Sequence, residues 1–252
     1  MNVLLTNDDG INGEGLISLK EALEAMDGIN LTVVAPDRER SASSHRITIF
    51  DPLILKEVSD KAFTLNGSPA DCVKISLEGL LKEQIDLVVS GINNGPNMGI
   101  DVYYSGTVAA AREARFHSIP SIAFSIDGYT HDKAFDTATE WAVGIVMKVL
   151  EQPIRAKAFY NVNIPNVKKG LIKGIQITSL GKRVYNDQVL ERITPFGWKY
   201  FWIGGDLPSY QPEENSDFNA VEDNYVSLTP LQLDVTDYSA IEDLKGNFNL
   251  TF

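Results

Sequence analysis

The chain has 252 residues, 44% of them hydrophobic and 22% charged, a length and composition that support a well-buried core in one large domain or two small ones. Thirty-four acids against 22 bases leave a formal net charge of -12, which argues against binding to a nucleic-acid backbone or to an anionic membrane. The single cysteine, Cys72, excludes an intrachain disulfide and a cysteine zinc cluster.

The elements follow in chain order. NVLLT (2–6) is a short apolar run closed by Asn, Asp and Gly, which predicts a buried parallel strand. Leu16, Leu19, Leu23 and Met26 then recur at helical spacing. LTVVAP (31–36) is a second strand stopped by proline, so the chain opens β-α-β. SPADC (68–72) starts a helix, with Ser68 as cap and Pro69 at the first helical position. IDLVVSG (85–91) is a third buried strand, and SGTVAAAREA (105–114) is a helix with a serine cap. PSIAFS (120–125) is a strand. A helix over 131–150 puts Phe135, Ala138, Trp141, Ile145 and Val149 on one side, and AFYNVNIP (158–165) closes the pattern. Alternating strands and helices predict an α/β fold, a Rossmann-like parallel sheet with helices on both faces.

After residue 166 the character changes. GIQITSL, ERITPFGWKYFWIGG and NYVSLTPLQLDV are strand-like with little helical pattern, and Pro195–Gly197 reads as a hairpin tip. The division is therefore an α/β core over 1–166 and an antiparallel, β-rich extension with a tail over 167–252, packed on the core as one structural domain. Trp198, Tyr200 and Trp202 alternate as one face of a strand that packs a hairpin or an interface.

In an open α/β sheet, ligands gather beyond the carboxyl ends of the strands. The first strand ends in Asn7, Asp8, Asp9 and Gly10. The second ends in PDRERSASSH, with Ser41, Ser43, Ser44 and His45. The third ends in SGINNGPNMG, with Asn93, Asn94 and Asn97 among glycines. Two adjacent carboxylates repel each other unless a positive charge sits between them. The donors are all hard oxygens, the set that suits Mg²⁺ or Mn²⁺. Neighbours on a regular strand face opposite ways, so Asp8 and Asp9 reach one ion only in the turn that leaves the strand. Taken singly, DDG also reads as a polar turn, Ser41 as a loop hydroxyl and Asn93 as a turn former. Ser105, Gly106 and Thr107 begin a helix, where free backbone N–H groups suit a phosphate; the same residues also serve as an ordinary helix cap. His45 is either an acid–base group or a solvated loop residue, His117 and His131 sit by helix ends, and Cys72 reads as a small core residue. The dinucleotide glycine fingerprint, the phosphate loop with its lysine, and the serine-hydrolase elbow are absent.

The blocks NVLLTNDDGINGEG, VVAPDRERSASSH, NGSPADCVKISL, DLVVSGINNGPNMGIDVYYSGTVAAAREA and NAVEDNYVSLTPL closely resemble the SurE family of metal-dependent 5'-nucleotidases, from residue 1 to about 235. The resemblance implies one divalent cation per subunit, Mg²⁺ or Mn²⁺, held by Asp8, Asp9, Ser41 and Asn93. It implies phosphate contacts from Asn94, Ser105, Gly106 and Thr107. It implies a phosphatase for nucleoside 5'-monophosphates, with 3'-nucleotides and short polyphosphate accepted by some members, and a homodimer or homotetramer built through the C-terminal extension. Ala114 stands where the family usually has glycine, and Gly67-Ser68-Pro69 replaces the commoner G-T-P. The expected partner is a small-molecule nucleotide, with no nucleic acid and no membrane. No apolar run reaches the ~18 residues of a membrane span, and the N-terminus lacks the basic start of a signal peptide, so the expected location is the cytoplasm. The expected reaction is metal-assisted attack of water, with Asp8 and Asp9 as catalytic carboxylates and Asp9 the preferred proton acceptor. An aspartyl-phosphate route through Asp8 and a phosphate-sensing receiver domain are the alternatives. The first usually carries D-x-D, and the second needs an aspartate at the end of the third strand, where this chain has SGIN.

Overall fold

The computed structural model describes residues 1–128, 132–151, 158–185, 187–205 and 209–247. The described residues begin with β1 (Asn2–Thr6), α1 (Glu14–Glu24), β2 (Asn30–Pro36), β3 (Leu55–Ser59), β4 (Ala62–Leu65) and α2 (Pro69–Ile75). β5 (Leu87–Asn94), α3 (Gly106–Phe116), β6 (Ser121–Ile126), α4 (Phe135–Glu151) and β7 (Phe159–Ile164) complete the core. Then come β8 (Ile175–Ile177), β9 (Lys182–Val184), β10 (Asp187–Ile193), β11 (Lys199–Gly205), β12 (Ser209–Gln211), α5 (Asp217–Glu222), β13 (Val226–Leu231) and α6 (Tyr238–Asn247).

One nine-stranded sheet runs in the order β3-β4-β2-β1-β5-β6-β7-β13-β8. The pairs from β4 through β2, β1, β5 and β6 to β7 are all parallel. β3 is antiparallel at one edge, and β13 runs antiparallel to β7. The chain leaves β1 toward β2 and later returns to β5 on the other side of β1. The strand order reverses there, which opens a crevice above the carboxyl ends of β1 and β5.

Alternation within β1 explains how both faces are covered. Val3 and Leu5 face α1 and α4, packing with Leu16, Leu19, Leu23, Phe135 and Val146. Leu4 faces the other side, with Val34, Val88, Cys72 and Val73 of α2 and Ala110 and Ala114 of α3. Parallel strands buried on both sides need continuous apolar runs, and NVLLT is one. The predicted caps hold: Ser68 accepts from Asp71 N–H in a reciprocal capping box, and Ser105 Oγ accepts from Val108 N–H at 3.1 Å. Cys72 is a fully buried core residue, its thiol pushed up by burial.

Two features differ from the sequence reading. The β3–β4 hairpin was not expected; LKEVS is an edge strand rich in charge and shows no apolar alternation. The extension also contains the short helices α5 and α6. Its strands β13 and β8 join the main sheet. β10 and β11 form the expected antiparallel hairpin, with its turn over 194–198. Trp198, Tyr200 and Trp202 are exposed, but so are Phe201 and Ile203 on the opposite face. His131, the first residue of the predicted 131–150 helix and the end of the C-terminal tail lie outside the described residues.

Candidate active site

The site is assembled by three turns at the crevice. The first leaves β1. Asn7 closes it, donating from Nδ2 to Gly10 O at 2.9 Å and accepting from Gly10 N–H at 3.2 Å. Gly10 has φ +91°, and a Cβ there would lie 3.0 Å from the Arg38 backbone, so glycine is required on both counts. Within this turn Asp8 and Asp9 escape the opposite-facing geometry of a regular strand.

The second turn belongs to β5 and the segment after it. The β5–β6 register shifts between Ser90 and Asn93, and the Gly91–Ile92 peptide is cis. Asn93 donates from Nδ2 to Gly95 O at 2.7 Å, which leaves Oδ1 as its donor atom toward a cation. Asn94 N–H donates to Asp9 Oδ2 at 3.2 Å. Asn97 lines the same pocket as Asn93 and Asn94 but is held differently. It is buried in an amide network, donating to Ser125 Oγ and Asn163 Oδ1, each at 2.8 Å, and accepting from Asn161 at 2.8 Å.

The third turn is the start of α3. Thr107 Oγ1 donates to Asp8 Oδ1, and Thr107 N–H donates to Asp8 Oδ2 at 3.3 Å. The Thr107 hydroxyl is therefore committed to a carboxylate. Gly106 lies against the same group: a Cβ there would stand 3.0 Å from Asp8 Cβ and 2.7 Å from Ser43 Oγ. The loop after β2 closes the site. Its Arg40 N–H donates to Asp8 O at 2.7 Å, and Ser41 Oγ donates to Glu39 Oε1 at 2.7 Å.

These turns surround a pocket of about 370 Å³ lined by Asp8, Asp9, Ser41, Asn93, Asn94 and Ser105. All four expected cation ligands and two of the expected phosphate contacts thus meet in one place; Gly106 and Thr107 follow directly on Ser105. Glu39, Asp101, Tyr104 and Tyr185 also line it and were not singled out from the sequence. Tyr185 comes from the extension and donates its hydroxyl to Asp101 Oδ1. Arg183 Nε donates to Asp101 Oδ2 at 3.0 Å. Such pairings between distant segments leave no local pattern in a sequence.

The electrostatics suit a cation. Burial, with the Asp9 charge adding to it, pushes Asp8 up to about 6, although the Thr107 hydrogen bonds pull the other way. Burial and the Glu39 charge raise Asp9 against the Asn94 N–H. Two carboxylates held against their preferred ionisation, with a hydroxyl and an amide oxygen in the same pocket, form a hard-oxygen donor set whose chemistry fits a hard divalent cation. Asp8, Asp9, Ser41 and Asn93 offer oxygen donors, with no sulfur or imidazole nitrogen among them.

A family model described as Survival protein SurE matches residues 3–187. The chain belongs to the SurE family. It is 42% identical to the 5'-nucleotidase SurE of Symbiobacterium thermophilum over 99% of both chains. It is also 42% identical to the 5'-nucleotidase SurE of Geobacter sulfurreducens, over 98% of this chain and 93% of that one. The crystal structure of the SurE protein from Aquifex aeolicus superposes with a TM-score of 0.86 at 41% identity, covering 98% and 99% of the two chains. The likeness to that structure therefore extends through β13, beyond the end of the family match.

Proposed function

We propose that the protein is a 5'-nucleotidase that uses a divalent cation to hydrolyse nucleoside 5'-monophosphates to nucleoside and phosphate. The observation that carries this reading is the meeting of Asp8, Asp9, Ser41 and Asn93 in one pocket beside the α3 N-terminus. The names of the relatives support the reaction class. We propose 3'-nucleotides and short polyphosphate as further substrates, and Mg²⁺ or Mn²⁺ as the ion.

Asp8, Asp9, Ser41 and Asn93 would hold the cation, which supplies Lewis-acid polarisation of the phosphate and a nucleophilic water near neutral pH. Asn94 and the α3 N-terminus at Ser105, Gly106 and Thr107 would hold the phosphate oxygens; the Ser105 N–H donates to Asp101 O and the Thr107 N–H and hydroxyl to Asp8, so what this turn offers a phosphate is the partial positive charge of a helix start and the close approach that Gly106 allows. Thr107 acts in addition on Asp8, fixing the carboxylate with its hydroxyl. Asp9 is the better proton acceptor for the attacking water, since among the described residues it accepts from the Asn94 N–H alone while Asp8 is held twice by Thr107. Adjacent acids with no second aspartate two residues on speak against an aspartyl-phosphate route through Asp8.

A homodimer or homotetramer through the extension is part of the same reading. It is supported by the β10–β11 hairpin, whose Phe196, Trp198, Trp202 and Ile203 are exposed on both faces. A cytoplasmic location rests on the sequence alone, where Cys72 is the single cysteine. No helix among the described residues is long and apolar enough to cross a membrane.

The test is phosphate release from AMP, GMP, CMP and UMP by metal-stripped protein, then with Mg²⁺ or Mn²⁺ restored, with Asp8→Asn alongside. Metal-dependent release that the variant lacks is the expected result. Release that is unaffected by chelation, or equal in the variant, would overturn it.

A further inference from the structure

The loop that carries Ser41, residues 37–48, contains no helix or strand, and Ala42 and Ser44 both take the left-handed conformation at φ 54°. Such an arc keeps its shape through its anchors. Before Ser41, Arg40 N–H is fixed to Asp8 O. After it, Ser44 donates from N–H to Tyr104 O at 2.9 Å and from its hydroxyl to Tyr103 O at 2.5 Å. Further on, Thr48 reaches Asp71 through N–H and hydroxyl, each at 2.8 Å.

Between these anchors stands His45, with Nε2 at 2.7 Å from Glu113 Oε2. Glu113 is buried in the last turn of α3, one turn after the buried Ala109 and Ala110. A buried carboxylate costs free energy unless it is paired. Its other oxygen lies 3.4 Å from Nε2 of His117, the residue that caps the end of α3, and 3.7 Å from Lys74 Nζ on α2. Glu78 in turn faces Lys74 at 2.8 Å and His117 at 3.6 Å, and the Phe116 ring packs on His45 at 5.4 Å. Burial raises Glu113, but the His45, Lys74 and His117 interactions outweigh it and hold the carboxyl below its ordinary range. A glutamate at this position reaches the loop.

One helix therefore touches both halves of the site. At its first turn α3 holds Asp8 through Thr107; at its last turn it holds the Ser41 loop through Glu113 and His45. We propose that Glu113, acting through His45, is a positioning residue that seats the Ser41 loop at a fixed distance from Asp8. The inference rests on the cation-site reading above.

The experiment uses the metal-free full chain. Hydrogen exchange at the 41–44 amides reports the loop, and calorimetric titration with Mn²⁺ reports the site. The variants are His45→Ala, on a loop whose change leaves the core intact, Glu113→Gln, and His45→Gln, which restores a donor where Nε2 stands. His45→Ala and Glu113→Gln should speed exchange at 41–44 and weaken Mn²⁺ binding by about tenfold, the usual effect of losing an outer-shell support. The Mn²⁺ concentration for half-maximal rate should rise while kcat at saturating Mn²⁺ stays near that of the wild type. His45→Gln should recover most of both. Wild-type exchange and Mn²⁺ affinity in His45→Ala would overturn the proposal, as would failure of His45→Gln to recover either. Wild-type protein that binds no Mn²⁺ would instead overturn the cation site, and that outcome is read separately from the exchange rates.

Discussion

Thr107 grips both oxygens of Asp8: its hydroxyl donates to one, and its backbone N–H donates to the other at 3.3 Å. The carboxylate is buried, so these two donors are the protein's own compensation for keeping it charged. Thr107→Val keeps the shape and removes the hydroxyl. It should lower activity by about tenfold. Because the lost hydrogen bond lowers the Asp8 pKa, the variant's Asp8 should hold its proton to higher pH. The acid limb of the pH–rate profile should move upward accordingly, which steady-state rates across pH would measure.

Asp8 itself makes a prediction about the metal-free protein. Its rise from an ordinary 3.8 to about 6, caused first by burial, corresponds to ~3 kcal/mol. A pKa raised in the folded state gives stability that is full below the unfolded value and lost as pH rises through the folded one. Asp8→Asn should therefore gain on the wild type as pH climbs from 3.8 through about 6, and should unfold at a higher temperature than metal-free wild type above that range. Mn²⁺ at about 100 times its Kd should raise the wild type by about 2.7 kcal/mol and leave the variant unchanged. Thermal melts with and without metal would read both effects.

Close packing of α1 on β5 gives a second kind of test. A Cβ on Gly15 would lie 2.0 Å from Ile92 O and 2.8 Å from the Phe135 ring. Gly15→Ala should cost about 3 kcal/mol, since backbone must move. Gly144, exposed within α4 and with nothing near its would-be Cβ, is the control. Gly144→Ala should stabilise by about 0.5–1 kcal/mol through helix propensity. Denaturant midpoints compare the pair.

The attachment of the extension can be measured at Arg183. Its guanidinium pairs with Asp101 and lies 4.7 Å over the Phe218 ring, and its side chain is only 4% exposed. Arg183→Ala leaves Asp101 facing the site without its cation and should cost about 3 kcal/mol. The loss should appear in a single unfolding transition, because β13 and β8 belong to the main sheet. A separate early transition confined to residues after 166 would show an independent unit.

The parallel core was legible because its signals are local. NVLLT, LTVVAP and DLVVSG are apolar runs bounded by turn residues, and Ser68-Pro69 and Ser105 are caps written within a few residues of their helices. Their tertiary roles agree with these preferences. β3 was not legible, because an edge strand such as LKEVS meets solvent and needs no apolar alternation. α5 was missed for a different reason: six residues are too few to display a helical period, although Ser216 accepts from Asn219 N–H as a cap.

At the site, the sequence by itself determined the donor chemistry. Two adjacent carboxylates, a serine and asparagines at successive strand ends, and a hydroxyl-rich helix start, are properties of residue type and order. Only the tertiary structure decided how those groups are shared. It assigned the Thr107 hydroxyl to Asp8, took Asn97 into an amide network with Asn161 and Asn163, and brought Tyr185 to Asp101 from 84 residues away. A hydrogen bond depends on a separation of about 3 Å in space. Residue order determines that separation only within a turn or a helix, and the folding of the sheet determines it everywhere else.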